Sequence, residues 1–150
     1  MFEIESKNPN EITIKTATKT VTIDFVNGVI MADLAVGEIA GPGEFEIGEA
    51  TIRGISVAKH TKTFYDVEVG GVHIGIIGDF DENLDELGIS DILCTSSVKA
   101  IKDINPKIIV ATGNIDGMVT ELKLSSRVEK KIKIKKIEDL PAIQEVIALN

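Results

Sequence analysis

Residues 41–55 read Gly-Pro-Gly-Glu-Phe-Glu-Ile-Gly-Glu-Ala-Thr-Ile-Arg-Gly-Ile, and they set the character of the fold. Gly41-Pro42-Gly43 predicts a structural turn, and apolar residues at every second position after it predict two strands. A phosphate-binding loop is not expected, because such a loop opens a helix and is followed by Lys and Ser or Thr. The same alternation recurs at 11–16, 20–25 and 64–69, while the mostly apolar runs 29–31 and 72–77 also predict strands. This half is therefore predicted to be β-rich.

From residue 79 onward, short apolar strands alternate with segments of helical period. Strands are predicted over 92–94, 107–110 and 131–135, and a mostly apolar run follows at 145–149. Helices are predicted over 81–87, 97–104 and 115–124. Pro106 is expected to end the second helix, because proline cannot continue a helical hydrogen-bond ladder. We predict an α/β second half, and one domain over residues 1–150, because no linker or internal repeat divides the chain.

The composition excludes several classes of function. The 150 residues contain 24 acidic and 16 basic side chains, a net charge of −8, which opposes binding to nucleic acid or to anionic membranes. Cys94 is the single cysteine, so a disulfide framework within one chain is excluded. The N-terminus lacks a signal-peptide pattern, and no window reaches the roughly 18 apolar residues of a spanning helix. The sequence predicts a cytoplasmic protein.

Several blocks follow one another in a recognisable order. They are 41–47 with 50–55, 69–74 leading to Gly78-Asp79, 87–93, and 105–110. In this order they resemble the metallo-β-lactamase superfamily, in its ascorbate-phosphate-lactonase-like branch, over roughly residues 41–149. The resemblance implies a metallo-β-lactamase-like αββα sandwich, which we expect to be truncated here.

The departures from this family concern the metal ligands. The resemblance implies a His-x-His-x-Asp-His loop, two later histidines and the aspartate of the Gly-Asp block as ligands of one or two metal ions. Here 32–36 resembles the strand before that loop, but the chain then runs directly into Gly41-Pro42-Gly43, so the ligand loop and its helix are expected to be missing. Thr95-Ser96-Ser97 and Ala111-Thr112-Gly113-Asn114 stand where the later ligands belong. Only Asp79 matches, and one carboxylate does not make a zinc site.

Asp79 has a structural interpretation beside the chemical one, because it could cap a helix that begins near Asp81. Asp79, Asp81, Asn83 and Asp85 stand at every second position, as in a calcium-binding loop. Leu84 replaces the turn glycine of such a loop, and Ser90 replaces its bidentate glutamate. We expect at most a weak cation site and favour a solvated acidic helix face.

The two histidines and two serines also have structural interpretations. His60 lies in a polar stretch that predicts a hairpin tip, and His73 is expected on the outer face of a strand. Ser96 and Ser97 follow a predicted strand, but the elbow motif of a serine nucleophile is missing. We expect the serines to cap the helix 97–104.

The stretch Arg127–Lys136 has one Arg and five Lys against one Glu, a net of +5. Alternation places Ile132 and Ile134 inward and the lysines outward. The favoured interpretation is a charged edge strand that resists pairing with another chain. The alternative is docking to an acidic partner or to the acidic face of a second copy.

These observations predict a non-catalytic protein of metallo-β-lactamase fold with a structural or interaction role, no catalytic residues and no cofactor. The alternative is a metal-dependent hydrolase of lactones or phosphoesters, whose non-standard metal site combines Asp79, Asp81, His60 and Asp33 or is shared between subunits. We also predict a homodimer that forms through apolar surface of the β-rich half, left exposed by the missing helix.

Overall fold

The computed structural model describes residues 1–32, 37–113 and 115–150. Its strands, in chain order, are β1 (Phe2–Glu5), β2 (Glu11–Lys15), β3 (Thr20–Asp24), β4 (Val29–Ala32), β5 (Glu38–Ala40), β6 (Gly43–Ile47), β7 (Ala50–Val57), β8 (Lys62–Val69), β9 (Val72–Gly78), β10 (Ile92–Thr95), β11 (Ile108–Ala111), β12 (Ser126–Glu129), β13 (Lys131–Ile134) and β14 (Glu145–Leu149). The helices are α1 (Val98–Ile104) and α2 (Ile115–Leu122). Neither is long and apolar enough to cross a membrane.

The strands form two sheets. The six-stranded sheet has the order β13-β1-β2-β3-β4-β5, and the eight-stranded sheet has the order β12-β14-β11-β10-β9-β8-β7-β6. The first is antiparallel throughout, whereas the second is parallel from β12 to β9 and antiparallel from β9 to β6. Gly41-Pro42 connects β5 to β6, and Lys130 alone connects β12 to β13, so the chain passes between the sheets at both lateral edges.

The alternating apolar residues of the two sheets face each other and form the main core. Ile4, Ile14 and Ile23 of the six-stranded sheet are fully buried, as are Ile52 and Ile74 of the eight-stranded sheet. β-branched side chains pack well on a pleated surface, so this pattern favours strands. Burial of the same side chains between the two sheets holds the sheets together. The sandwich predicted from the sequence is confirmed.

The two helices pack on the outer face of the eight-stranded sheet. Ile101 of α1 and Met118 of α2 join Leu93 and Ile109 in a second buried cluster. The helices predicted over 97–104 and 115–124 are confirmed. The acidic segment 81–87 forms only one 3₁₀ turn.

The outer face of the six-stranded sheet carries no helix from the described part of the chain. A row of directly opposed residues crosses it in the order Lys131, Glu5, Thr13, Thr22, Met31, Glu38. Thr13 and Thr22 share a 2.9 Å hydrogen bond, and Lys15 Nζ lies 3.2 Å from a Glu5 oxygen. Among the residues that the structure describes, the exposed large apolar side chains are those of Met1, Val26, Ile89, Val128, Ile137 and Ile143. Threonine, glutamate and lysine make up most of this row and Met31 is its apolar member, so the apolar dimer surface expected in the β-rich half stays a prediction.

The strand predicted over 32–36 falls on β4 only at Ala32, and residues 33–36, which include Asp33, lie outside the described residues. β4 and β5 pair as antiparallel neighbours, with Met31 opposite Glu38. Five residues separate these strands in the sequence.

Candidate functional site at the strand ends

The carboxyl ends of the parallel strands β9, β10 and β11 meet at one end of the sandwich. Asp79, Ser96 and Thr112 follow these strands and line a cavity of about 400 Å³, which we call the strand-end cleft. The other polar side chains along it belong to Asn10, Lys62 and Thr63, and the main apolar ones to Phe25, Phe64, Ile77 and Phe80. Such edges commonly hold ligands, because side chains from several strands converge there.

Close backbone approaches shape the cleft. Gly78 has a φ of +65°, and a Cβ atom there would lie 3.0 Å from the Phe25 ring. A Cβ atom on Gly113 would lie 2.8 Å from the Cβ of Ser96. The Thr95 hydroxyl donates a 2.8 Å hydrogen bond to the Gly78 carbonyl and joins the ends of β9 and β10. These contacts require glycine at both turns.

The strand-end cleft has few charged side chains, and they differ in sign. Asp79 is exposed, and its carboxylate has no hydrogen bond or ion pair with the described residues. The cleft supplies this one carboxylate, the Lys62 ammonium, hydroxyls and an amide, and no described imidazole or thiol lines it. Across residues 1–32, 37–113 and 115–150, no three His, Cys, Asp or Glu side chains are grouped so that they could hold a metal ion. The residues of this cleft therefore do not fit the zinc that the fold family implies.

Asp79 does not cap a helix, so that prediction was wrong. The 3₁₀ turn begins at Leu84, and the residue before it, Asn83, has a left-handed backbone with φ 59° and makes no capping hydrogen bond. The Asp81 carboxylate instead accepts a 2.7 Å hydrogen bond from the Ser97 hydroxyl. The turn starts too far along the chain for Asp79 to reach its free N–H groups.

The other candidate ligands lie in separate cavities. Asp81 and Asp85 line a cavity of about 470 Å³ that also contains Lys99. His60 lies at the tip of the β7–β8 hairpin, as predicted, and its Nδ1 is 2.7 Å from the Ser56 hydroxyl. Asp79, Asp81, Asp85 and His60 are thus not gathered into one site, and Asp33 lies outside the described residues.

Ser97 has the structural role predicted for it. Its hydroxyl accepts a 3.1 Å hydrogen bond from the Ala100 N–H and caps α1. Its own N–H donates to the Thr95 hydroxyl over 3.0 Å. Ser96 does not cap this helix and lines the cleft instead.

A second polar cluster, not predicted from the sequence, lies on β7, β8 and β9. His73 Nδ1 is 3.2 Å from the Asp66 carboxylate, which is only 8% exposed and lies 3.6 Å from Arg53. His73 Nε2 is 3.9 Å from Glu68. The sequence did contain a signal for this cluster. The two-residue Gly70-Gly71 turn places His73 directly opposite Glu68.

Hydrogen bonding and burial fix the protonation of groups near the cleft. Burial tends to raise the pKa of Asp24, but hydrogen bonds from the Asn27 side chain and from the Asn27 and Val26 N–H groups outweigh it and lower this pKa. Burial, and then the charge of Asp24, raise the pKa of Tyr65 to about 12. Burial also raises the pKa of the Cys94 thiol. Neither Tyr65 nor Cys94 is ionised at neutral pH, so neither is an activated nucleophile.

No protein-family model and no curated protein sequence matches the chain. Among solved structures, a candidate zinc-dependent hydrolase of the metallo-β-lactamase superfamily from Thermotoga maritima superposes with a TM-score of 0.71 at 14% identity, over 99% of this chain and 98% of that one. A candidate metal-dependent hydrolase from Parabacteroides distasonis gives a TM-score of 0.44 at 15% identity, over 75% of this chain and 93% of that one. The Thermotoga protein shares the compact size of this chain, and the likeness shows that the chain has a metallo-β-lactamase-like fold.

Proposed function

We propose that this chain is a non-catalytic protein of metallo-β-lactamase fold that acts through interaction with other molecules. The observation that carries the proposal is the composition of the strand-end cleft. Around Asp79, the polar side chains of the described part of the cleft are Lys62, Asn10 and hydroxyl groups. This set forms hydrogen bonds but supplies a single anionic oxygen ligand.

Metal-dependent hydrolysis has stricter requirements. A catalytic zinc is held by about three protein ligands, with a further position open for water. Asp79 alone cannot provide them, and His60 and His73 lie on the hairpin tip and on the β8–β9 cluster. The Lys62 ammonium in the same cleft adds a positive charge that opposes a divalent cation.

The alternative function is metal-dependent hydrolysis of a lactone or phosphoester with a site completed by a second subunit. The reason to test it is that the structurally similar Thermotoga protein is a candidate zinc-dependent hydrolase of nearly the same length. In that case Asp79 would be the ligand contributed by this chain.

Hydrolysis assays separate the two functions. The purified chain is incubated with zinc or manganese and with lactone, phosphodiester and β-lactam probes, next to Asp79→Asn as the matched variant. We expect both proteins to remain at the background rate with either metal. A metal-dependent rate in the parent that is lost in Asp79→Asn would overturn the proposed function.

A further inference from the structure

The two lateral edges of the sandwich carry opposite charge. The basic edge consists of β12 and β13, which overlap the stretch 127–136 and its net +5. The acidic edge consists of β5 and β6, within the stretch 37–50, which contains four Glu and no basic residue. Each edge contains one end strand from each sheet, so each exposes two rows of unpaired backbone groups among the described residues.

The charges of both edges are exposed. On the basic edge, Lys131 and Lys133 both contact Glu3, at 3.6 and 3.7 Å, so two ammonium groups share one carboxylate. On the acidic edge, Glu38 and Glu44 are exposed and form no ion pair with the described residues. The basic edge therefore has positive charge in excess, and the acidic edge has negative charge in excess.

The strand directions allow the unlike edges to pair without any rotation. β13 and β5 run in opposite directions, because the six-stranded sheet has an even number of alternating strands. β12 and β6 also run in opposite directions, because three reversals separate the parallel strands from β6. A second copy shifted sideways in the same orientation therefore meets both strands of the edge in antiparallel fashion.

The register of the six-stranded sheet also places opposite charges at this contact. The row of opposed residues that crosses its outer face begins at Lys131 and ends at Glu38. When a second copy continues this row, its Glu38 lies next to Lys131 of the first copy. Opposite charges on directly paired residues stabilise a sheet, whereas two basic edges or two acidic edges repel each other.

We propose that a second copy of this chain docks its acidic edge against the basic edge, so that both sheets continue from one copy into the next. This inference rests on the interaction role proposed above and names its partner. The contact is head to tail and differs from the closed dimer predicted from the sequence, so oligomers grow with protein concentration. The lysines of the basic edge repel the basic edge of another copy and attract its acidic edge.

Sedimentation velocity over a concentration series tests the contact. The mass should rise with concentration at about 0.01 M salt and return to the monomer near 1 M salt, where the screening length falls from about 30 to about 3 Å. A monomer at every concentration in low salt, or a dimer that persists in high salt, would overturn the contact. Neither result depends on metal or hydrolysis, so failure here is distinguishable from failure of the proposed function.

Two single variants sharpen the test. Glu38→Lys damages the acidic edge and Lys131→Glu damages the basic edge, so each variant alone should be monomeric in low salt. An equimolar mixture should associate again, because each variant keeps one intact edge and the two reversed charges oppose each other at the other contact. Glu82→Lys and Lys107→Glu make the same charge changes away from both edges and should associate like the parent.

Melting curves establish that each variant is folded, and the salt series on the parent needs no variant. If Glu38→Lys and Lys131→Glu, both folded, associate as strongly as Glu82→Lys and Lys107→Glu, the proposed contact is refuted.

Discussion

The two outer faces of this sandwich differ in what covers them. The outer face of the eight-stranded sheet is covered by α1 and α2, and Leu93 and Ile109 on it are fully buried. The outer face of the six-stranded sheet carries Thr13, Thr22 and charged residues, and no helix from the described residues covers it. Each face has the side chains that suit its own environment.

The largest expected effect comes from the covered face. Leu93→Ala removes a fully buried side chain beneath the helices and should lower the free energy of unfolding by about 2–5 kcal/mol. Thr22→Ala on the bare face should cost about 1 kcal/mol, because it removes only the hydrogen bond to Thr13. Urea unfolding measures both. Equal losses would contradict the difference between the faces.

A smaller effect is expected at the start of α1, which belongs to the covering layer. Ser97→Ala removes the hydroxyl that accepts the Ala100 N–H and should cost about 0.5–2 kcal/mol. Ser96→Ala is the matched control, because its hydroxyl does not cap the helix, and it should change stability by less than about 0.5 kcal/mol. Thermal unfolding of the two variants compares them directly. A larger loss for Ser96→Ala would refute the capping assignment.

A further, smaller effect concerns pH and Asp24, which lies at the end of β3 in the six-stranded sheet. Folding lowers the pKa of this carboxyl. Its contribution to the free energy of unfolding is therefore complete above its ordinary pKa of about 4 and is lost as the pH falls through the pKa of the folded state. Asp24→Asn should therefore remove part of the acid-induced loss of stability. Unfolding at about pH 7 and about pH 3 checks this, and an unchanged pH dependence in the variant would contradict it.

Much of the fold could be predicted from the sequence, because long alternating segments and their glycine turns leave little choice of structure. β1, β5 and β12 were missed. β5 has only three residues, and all four residues of β12 are exposed, so neither has a buried face to show alternation. β12 pairs with β14 rather than with its neighbour along the chain, and a local pattern does not encode such a pairing.

The site was less predictable. Lys62, Ser96 and Thr112 are far apart in the sequence, and only the strand order brings them into one cleft. The contact of His73 with Asp66 and Glu68 could have been derived from the Gly70-Gly71 turn, because a two-residue hairpin fixes the register.

We propose that the strand-end cleft of this chain holds no working metal site, and Asp79 tests this proposal most directly. The melting temperature of the parent and of Asp79→Asn is measured with and without micromolar zinc or manganese, since a ligand that binds only the folded state raises it. Because the Asp79 carboxylate has no partner among the described residues, both proteins should melt at similar temperatures. We expect at most a small metal effect, the same in both. A sharp rise in the parent that is absent from Asp79→Asn would contradict the account.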